Sequence, residues 1–171
     1  DIINSDAFQR LKKIDQAGYA EPYFPNTKHT RYQHSINDYL LLNKYNARIE
    51  EQIIGLIHDM SHLSFSHCID YVLNEQDAGK QIHQDNIFED YIINRTDIPK
   101  ILKKYGHDIN YILDETNFPL QEKNIPDLCA DRISYSLLGA VIYRIYSQTD
   151  LNILLNNLKI IDNEWVFTSL Q

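Results

Sequence analysis

Cysteine is nearly absent from this chain: its 171 residues hold two, Cys68 and Cys129. Two are too few for a disulfide scaffold, so both are read as free thiols of an intracellular protein, and a cytoplasmic location is expected. Cys68 is expected to be a small core residue rather than a nucleophile. Basic charge is also scarce, with 16 Lys and Arg against 24 Asp and Glu, a net charge of −8. A nucleic-acid binder that depends on phosphate contacts needs a basic surface, so nucleic acid is not an expected partner. No run of about 18 apolar residues occurs, which excludes an apolar membrane-spanning helix. No signal-peptide pattern opens the chain. Glycine numbers only five, and none of the spacings forms a phosphate cradle. The first residue is Asp1 rather than Met, and an N-terminal piece is expected to precede it.

What is present is a helical core. Apolar residues make up 43% and aromatics 11%, too much for a disordered segment and enough for one domain over 1–171. Ser5 and Asp6 start a short helix with Phe8, Leu11 and Ile14 on one side. Gly18 to Pro25 reads as an aromatic loop. Helices are expected from Arg31 to about Leu42, from Ile49 to about His58, and from a Ser66 cap to Leu73. Others follow over His83–Ile93, Ile98–Tyr105 and Ile109–Leu113. The longest is expected over Asp127 to about Ser147, with Pro126 in its first turn. Asp150 caps one more through Leu158, and the tail reads as a hairpin turning at Asp162-Asn163. The fold class is mostly α, one helical bundle with a short C-terminal β-hairpin.

Histidine carries the chemistry. His58-Asp59-Met60-Ser61-His62-Leu63-Ser64-Phe65-Ser66-His67 packs three histidines and a carboxylate into ten residues, and His34 lies upstream. Imidazole and carboxylate are ligands for Mn, Fe, Co or Ni. His58-Asp59 can give a nitrogen and an oxygen to one ion, and on a continuing helix His62 stands one turn further along the same face. Unpaired buried polar groups cost about 1–3 kcal/mol each, so a purely structural role for the whole set is the weaker reading. Arg31 and Arg132 offer the paired donors that match phosphate, with a structural salt bridge as the alternative for each. Tyr135 suits either a sugar ring or the core. His29 and His107 are read as solvent-facing.

Further residues complete a pattern. Phe8-Gln9-Arg10-Leu11, Ile14-Asp15-Gln16-Ala17-Gly18, Tyr23-Phe24-Pro25, Thr30-Arg31-Tyr32-Gln33-His34-Ser35, His58-Asp59, Phe65-Ser66-His67 and Ala130-Asp131-Arg132-Ile133-Ser134-Tyr135 follow one another in order. Together they resemble the HD-domain metal-dependent phosphohydrolases, in the branch of the deoxynucleoside triphosphate triphosphohydrolases. The resemblance implies one divalent ion (Co, Mn, Fe, Ni or Mg) on His34, His58, Asp59 and Asp131. It implies a proton-handling group of His62, Asp70 and His83, a phosphate contact at His67 and a sugar contact at Gln16. There are departures. Asn37 and Ser61 replace glycines, Ser64 a proline, Ser134 an aspartate, and Leu138-Gly139 an Arg-Asp pair whose aspartate holds the sugar.

The expected function is therefore removal of phosphate, one group at a time, from a nucleotide or nucleotide analogue. The compact scale is similar to the HD phosphohydrolase of oxetanocin A biosynthesis, which adds nucleoside-antibiotic biosynthesis as an expected setting. The alternatives are release of whole triphosphate from deoxynucleoside triphosphates, a non-catalytic nucleotide sensor that keeps the metal, and a cyclic-nucleotide phosphodiesterase. The partners expected are a small nucleotide substrate and, at most, a few copies of the chain itself, without a membrane.

Overall fold

The computed structural model describes residues 1–69 and 83–169. The architecture is mostly α, with a two-stranded antiparallel sheet at the C-terminal end. In chain order the helices are α1 (Asp6–Arg10), α2 (Arg31–Lys44), α3 (Ile49–Ile57), α4 (His83–Arg95), α5 (Ile98–Lys104), α6 (Ile109–Leu113), α7 (Ala130–Ile142) and α8 (Gln148–Asn157). The strands are β1 (Leu158–Ile161) and β2 (Glu164–Phe167). Short 3₁₀ turns cover Ile2–Asn4, Leu11–Lys13, Ser66–Ile69 and Glu115–Asn117. Among the described residues no helix is long and apolar enough to cross a membrane.

The chain divides into two compact units, each built from separate stretches. The first takes Asp1–Ser35 and Ile57–Leu113. Its apolar residues Phe8, Leu11, Ile14, Ile57, Met60, Ile92, Ile98, Leu102 and Ile112 are buried. Ser5 caps α1, its hydroxyl accepting from the Phe8 N–H, so the first orphan donors of that short helix are met. Phe8 stacks edge-on against Tyr32, with ring centroids 5.1 Å apart.

The second unit takes Ile36–Leu56 and Asp114–Gln171. Its core joins Leu41, Leu42, Ala47, Leu120, Ala130, Ile133, Leu158 and Trp165. The Trp165 indole N–H donates to the Leu120 carbonyl at 2.8 Å, which satisfies the one polar atom of a buried ring. The hairpin pairs Leu158 with Phe167 and Ile160 with Trp165. Its turn residues, Asp162 and Asn163, both have left-handed φ, 51° and 60°. That is what a two-residue turn matching strand twist demands. Gly55 sits where α3 meets α2. A Cβ there would lie 2.5 Å from Leu42 Cδ1 and 3.0 Å from Asp38 Oδ2.

Three expected boundaries and one helix type are corrected. α7 begins at Ala130, not Asp127, and Pro126 lies before it. The N–H groups of Ala130 and Asp131 bond to the Leu120 and Gln121 carbonyls, so the chain preceding Ala130 is turned away from the helix. α7 also stops at Ile142, short of Ser147, because Arg144 takes a left-handed φ of 58°. Ile145 N–H then bonds Ala140 O and Arg144 N–H bonds Val141 O, the Schellman pattern. α8 is capped by Ser147, while Asp150 is the reciprocal partner three residues on, a complete capping box. Ser66 heads a 3₁₀ turn rather than an α-helix. The rest of the helix expected through Leu73 lies outside the described residues.

Glu51 is a buried carboxylate of the second unit, accepting from the Leu120 N–H at 2.7 Å. Burial raises its pKa, and the hydrogen bond and Arg48 only partly oppose this. A raised folded-state pKa means the native state binds the proton more tightly than the unfolded chain. Stability contributed by that proton is lost as pH rises from the ordinary glutamate range through the folded value. Glu51→Gln keeps an acceptor for Leu120 without the charge. The wild-type melting temperature should therefore fall relative to Glu51→Gln across that window, as read by thermal melts at stepped pH.

Candidate metal centre

The centre is built in the first unit from the start of α2 and the turn that follows α3. Thr30 and Gln33 open α2 reciprocally: Gln33 N–H donates to Thr30 Oγ1 at 3.2 Å, and Thr30 N–H to Gln33 Oε1 at 2.8 Å. This capping box fixes the first turn, which carries Arg31 and His34. α3 ends at Ile57, and His58, Asp59 and Met60 lie in a turn closed by Met60 N–H on Ile57 O and His62 N–H on Asp59 O. The helix thus ends close to the expected His58, and His62 does not lie on a continuation of it. The turn itself returns it to Asp59. Arg10 anchors the same turn by donating to the Met60 carbonyl at 2.5 Å.

Three imidazoles and a guanidinium converge on the Asp59 carboxylate. His34 Nε2 is 3.6 Å from Oδ2, His58 Nε2 3.6 Å and His62 Nε2 3.2 Å from Oδ1. Arg31 Nη1 reaches both oxygens, at 2.8 and 2.9 Å. Burial alone would raise the Asp59 pKa, but Arg31, then His58 and His62, hold it well below the usual carboxylate range. The anionic form of Asp59, the form in which a carboxylate binds metal, is thereby favoured.

His34 and His58 point their Nε2 atoms at each other across 3.1 Å, with rings nearly perpendicular. Two nitrogens bound side by side on one ion at about 2.1 Å would lie about 3 Å apart. With the Asp59 carboxylate they form a group whose ligand atoms all fall within 4.8 Å of one another. The donor set is borderline-hard N/N/O, suited to Mn, Fe, Co, Ni or Zn.

A second such group joins Glu122, Cys129 and Asp131 in the other unit. It is less suited to a cation. Arg132 Nη2 already holds Glu122 at 3.1 Å, and burial pushes the Cys129 thiol up to about 12, so it stays protonated near neutral pH. Asp131 lies in the first turn of α7. Arg132 also donates to the Asp127 and Lys123 carbonyls, while Tyr135 is exposed. Gln16 lies in the loop after Ile14; its carbonyl accepts from Arg31 Nη2 at 3.4 Å, and its side-chain oxygen is buried without a hydrogen-bond partner. His67 and His83 fall in the Ser66–Ile69 turn and at the start of α4, and their side chains lie outside the described residues, as does all of Asp70. Two readings are corrected. His29 is buried, its Nδ1 3.2 Å from the Thr27 carbonyl, and His107 is half-buried. Cys68 is exposed, not a core residue. Sequence reasoning assigned no separate role to Arg10 and only a helix cap to Ser66, although both stand inside the motifs quoted above.

Comparison with known proteins decides the affiliation. No family model matches the chain. It is 42% identical to the uncharacterized protein YdhJ of Bacillus subtilis over 140 residues, 80% of this chain and 41% of that protein. It is 30% identical to the metal-dependent phosphohydrolase cns2 of Cordyceps militaris over 161 residues, 93% of this chain and 45% of that one. Mouse SAMHD1, a deoxynucleoside triphosphate triphosphohydrolase, is 29% identical over 141 residues, 69% of this chain and 21% of its own. The chain is related to the metal-dependent phosphohydrolases. A crystal structure of a hypothetical protein from Aquifex aeolicus shares this fold with a TM-score of 0.68 at 28% identity, covering 97% of this chain and 48% of its own. The chain spans less than half the length of each of these relatives.

If this HD-type group is the metal centre, Asp59→Ala should lose bound metal by elemental analysis while circular dichroism keeps the helical signal. Full metal retention would remove Asp59 from the ligand set.

Proposed function

We propose that this chain carries the hydrolytic centre of a metal-dependent phosphohydrolase acting on nucleotides. The observation that carries the reading is the convergence of His34, His58 and Asp59 within 4.8 Å, in a chain similar to proteins named for that chemistry. These three residues would hold the ion, and the resemblance assigns Asp131 to it as a fourth ligand. When bound, a divalent ion lowers the pKa of water and polarises a phosphoryl oxygen.

The chain's own residues do the rest. Asp59 faces the His62 ring nitrogen at 3.2 Å and orients the imidazole. A histidine so placed delivers a proton to the leaving oxygen, with Asp70 and His83 as the further members that the resemblance implies. His67 and Arg132 take phosphate, and Gln16 and Tyr135 the sugar. Arg31 is committed to Asp59 on two contacts, so its share in phosphate binding is secondary.

Leu138-Gly139 stands where an Arg-Asp pair is expected, so no carboxylate there holds a sugar hydroxyl. A site built on phosphate contacts and poor in sugar contacts tolerates sugar variation. This favours orthophosphate released in successive cuts from several nucleotides, sugar-modified ones included. The similarity to SAMHD1 favours a second reading, release of whole triphosphate.

Chromatography of a nucleoside triphosphate digest separates them. Diphosphate and monophosphate intermediates with orthophosphate are expected; stoichiometric inorganic triphosphate would establish the second reading instead. Within either, His62→Ala should keep its metal and lose about 10²–10⁴-fold in rate. Metal loss in that variant would make His62 a ligand.

A further inference from the structure

Ser66 belongs to the Phe65-Ser66-His67 motif, yet nothing so far gives it a task. It is 2% exposed and holds a left-handed φ of 47°, where a residue with a side chain is uncommon. Strained backbone of this kind persists when surrounding structure fixes it, and it gathers at functional sites. What fixes Ser66 is visible. Its hydroxyl donates to the Asp15 carbonyl at 2.6 Å and accepts from Arg31 Nε at 3.2 Å.

The second bond matters because a guanidinium is planar. Arg31 already places Nη1 on both Asp59 oxygens and Nη2 on the Gln16 carbonyl. Holding Nε as well fixes the plane, and with it the angle at which Nη1 meets the carboxylate. Asp59 is in turn held with its two oxygens toward His34, His58 and His62. The Asp15 end is equally fixed: Asp15 bridges Thr30, Gln16 N–H bonds His29 O, and Arg31 N–H bonds Ile14 O. No other side-chain acceptor for Arg31 Nε stands among these bonds.

We propose that Ser66 is a positioning residue of the metal centre. Its hydroxyl locks the Arg31 guanidinium plane against Asp59 and so presents the carboxylate to the ion. The proposal rests on the reading of Asp59 as a ligand. Partners in this outer layer set a metal site's affinity, and losing one costs about 10–100-fold. A residue that only shaped the turn would leave metal affinity unchanged once the backbone was accommodated.

Mn²⁺ titration calorimetry on the metal-stripped chain, with thermal melts of each variant, tests this. Ser66→Gly accepts the left-handed φ without strain, so it should melt near the parent while binding Mn²⁺ about 10–100-fold more weakly. Arg31→Lys should lose a similar factor, and the double variant should be no weaker than the weaker single, since both act through one bond. Asparagine tolerates the same φ and offers an amide oxygen to Nε, so Ser66→Asn should bind more tightly than Ser66→Ala. That comparison decides the matter if the glycine variant melts early. Parent-like Mn²⁺ affinity in Ser66→Gly, equal weak binding in Ser66→Asn and Ser66→Ala, or losses that multiply in the double variant would each overturn the proposal. Asp59→Ala serves as the control. Unchanged Mn²⁺ binding there would refute the ligand assignment itself, whereas its loss together with parent-like Ser66→Gly would refute only the positioning role.

Discussion

A buried carboxylate is the constraint around which the first unit is arranged. Asp59 is charged and almost wholly out of water. Removing an ion from water costs several kcal/mol even after relaxation, and attraction to a partner offsets this only when the geometry is good and the remaining lone pairs are met. Arg31 supplies the partner at 2.8 and 2.9 Å, and His62 occupies another direction at 3.2 Å. Such a pair is weak evidence for stability, since apolar replacements of a whole pair are often neutral. Removing one member alone leaves a bare buried charge and costs about 3–5 kcal/mol. The pair therefore acts as a specification: any arrangement that separates Arg31 from Asp59 is heavily penalised.

That specification reaches along the chain. Arg31 can meet Asp59 only if α2 begins where it does, and the Thr30–Gln33 capping box sets that start. Asp59 can meet Arg31 only if α3 ends at Ile57 and the chain turns, and Arg10 holds that turn from α1 through the Met60 carbonyl. Gly18 is the third fixed point. Its φ is 67°, and a Cβ would stand 2.7 Å from the Phe65 carbonyl and 2.8 Å from Cys68 Sγ. The backbone next to Ser66 thus approaches the loop after Ile14 too closely for any other residue. The second unit meets its buried charge differently: Glu51 has a backbone donor and a more distant Arg48, and burial prevails, so its pKa moves up where that of Asp59 moves down. Opposite shifts in two buried acids follow from what faces each carboxylate: a guanidinium in direct contact and then two imidazoles at Asp59, against backbone donors and an arginine 3.9 Å away at Glu51.

The sequence disclosed what depends on pattern. Three-residue apolar spacing located α1, and Asp162-Asn163 marked the hairpin turn because few residues accept two left-handed positions in succession. The residues that gather in the first unit, His34, His58 and Asp59, could be singled out as candidates from residue type and order. What stayed hidden depends on backbone geometry without a residue signature. Three helices end in Schellman turns, at Asn46, Gly106 and Arg144. Only glycine announces such a stop, asparagine hints at it, and arginine says nothing, so α7 was read five residues too long at that end. Its start was misplaced because Pro126 is equally at home in a first turn and before one. His29, a histidine in a polar loop, gave no sign that it would be covered. Arg31 was legible as a phosphate ligand or a salt bridge, and only coordinates could supply its distance to Asp59.

The same pair bears on how a metal would be held. A carboxylate free in solution binds a divalent ion with its full charge but must be ordered first. Asp59 is already ordered, and Arg31 has neutralised part of its charge. Bound metal and guanidinium are both cations drawn to the same two oxygens, so each weakens the other's hold. What the site gives up in attraction it recovers in preorganisation, because the ligand atoms of His34, His58 and Asp59 already lie within 4.8 Å of one another. A catalytic ion must keep positions open for water and substrate and must tolerate exchange of those ligands. A carboxylate shared with a fixed arginine meets that requirement better than one that gives the metal all its charge, and the buried Arg31–Asp59 pair is then a property of the chemistry as much as of the fold.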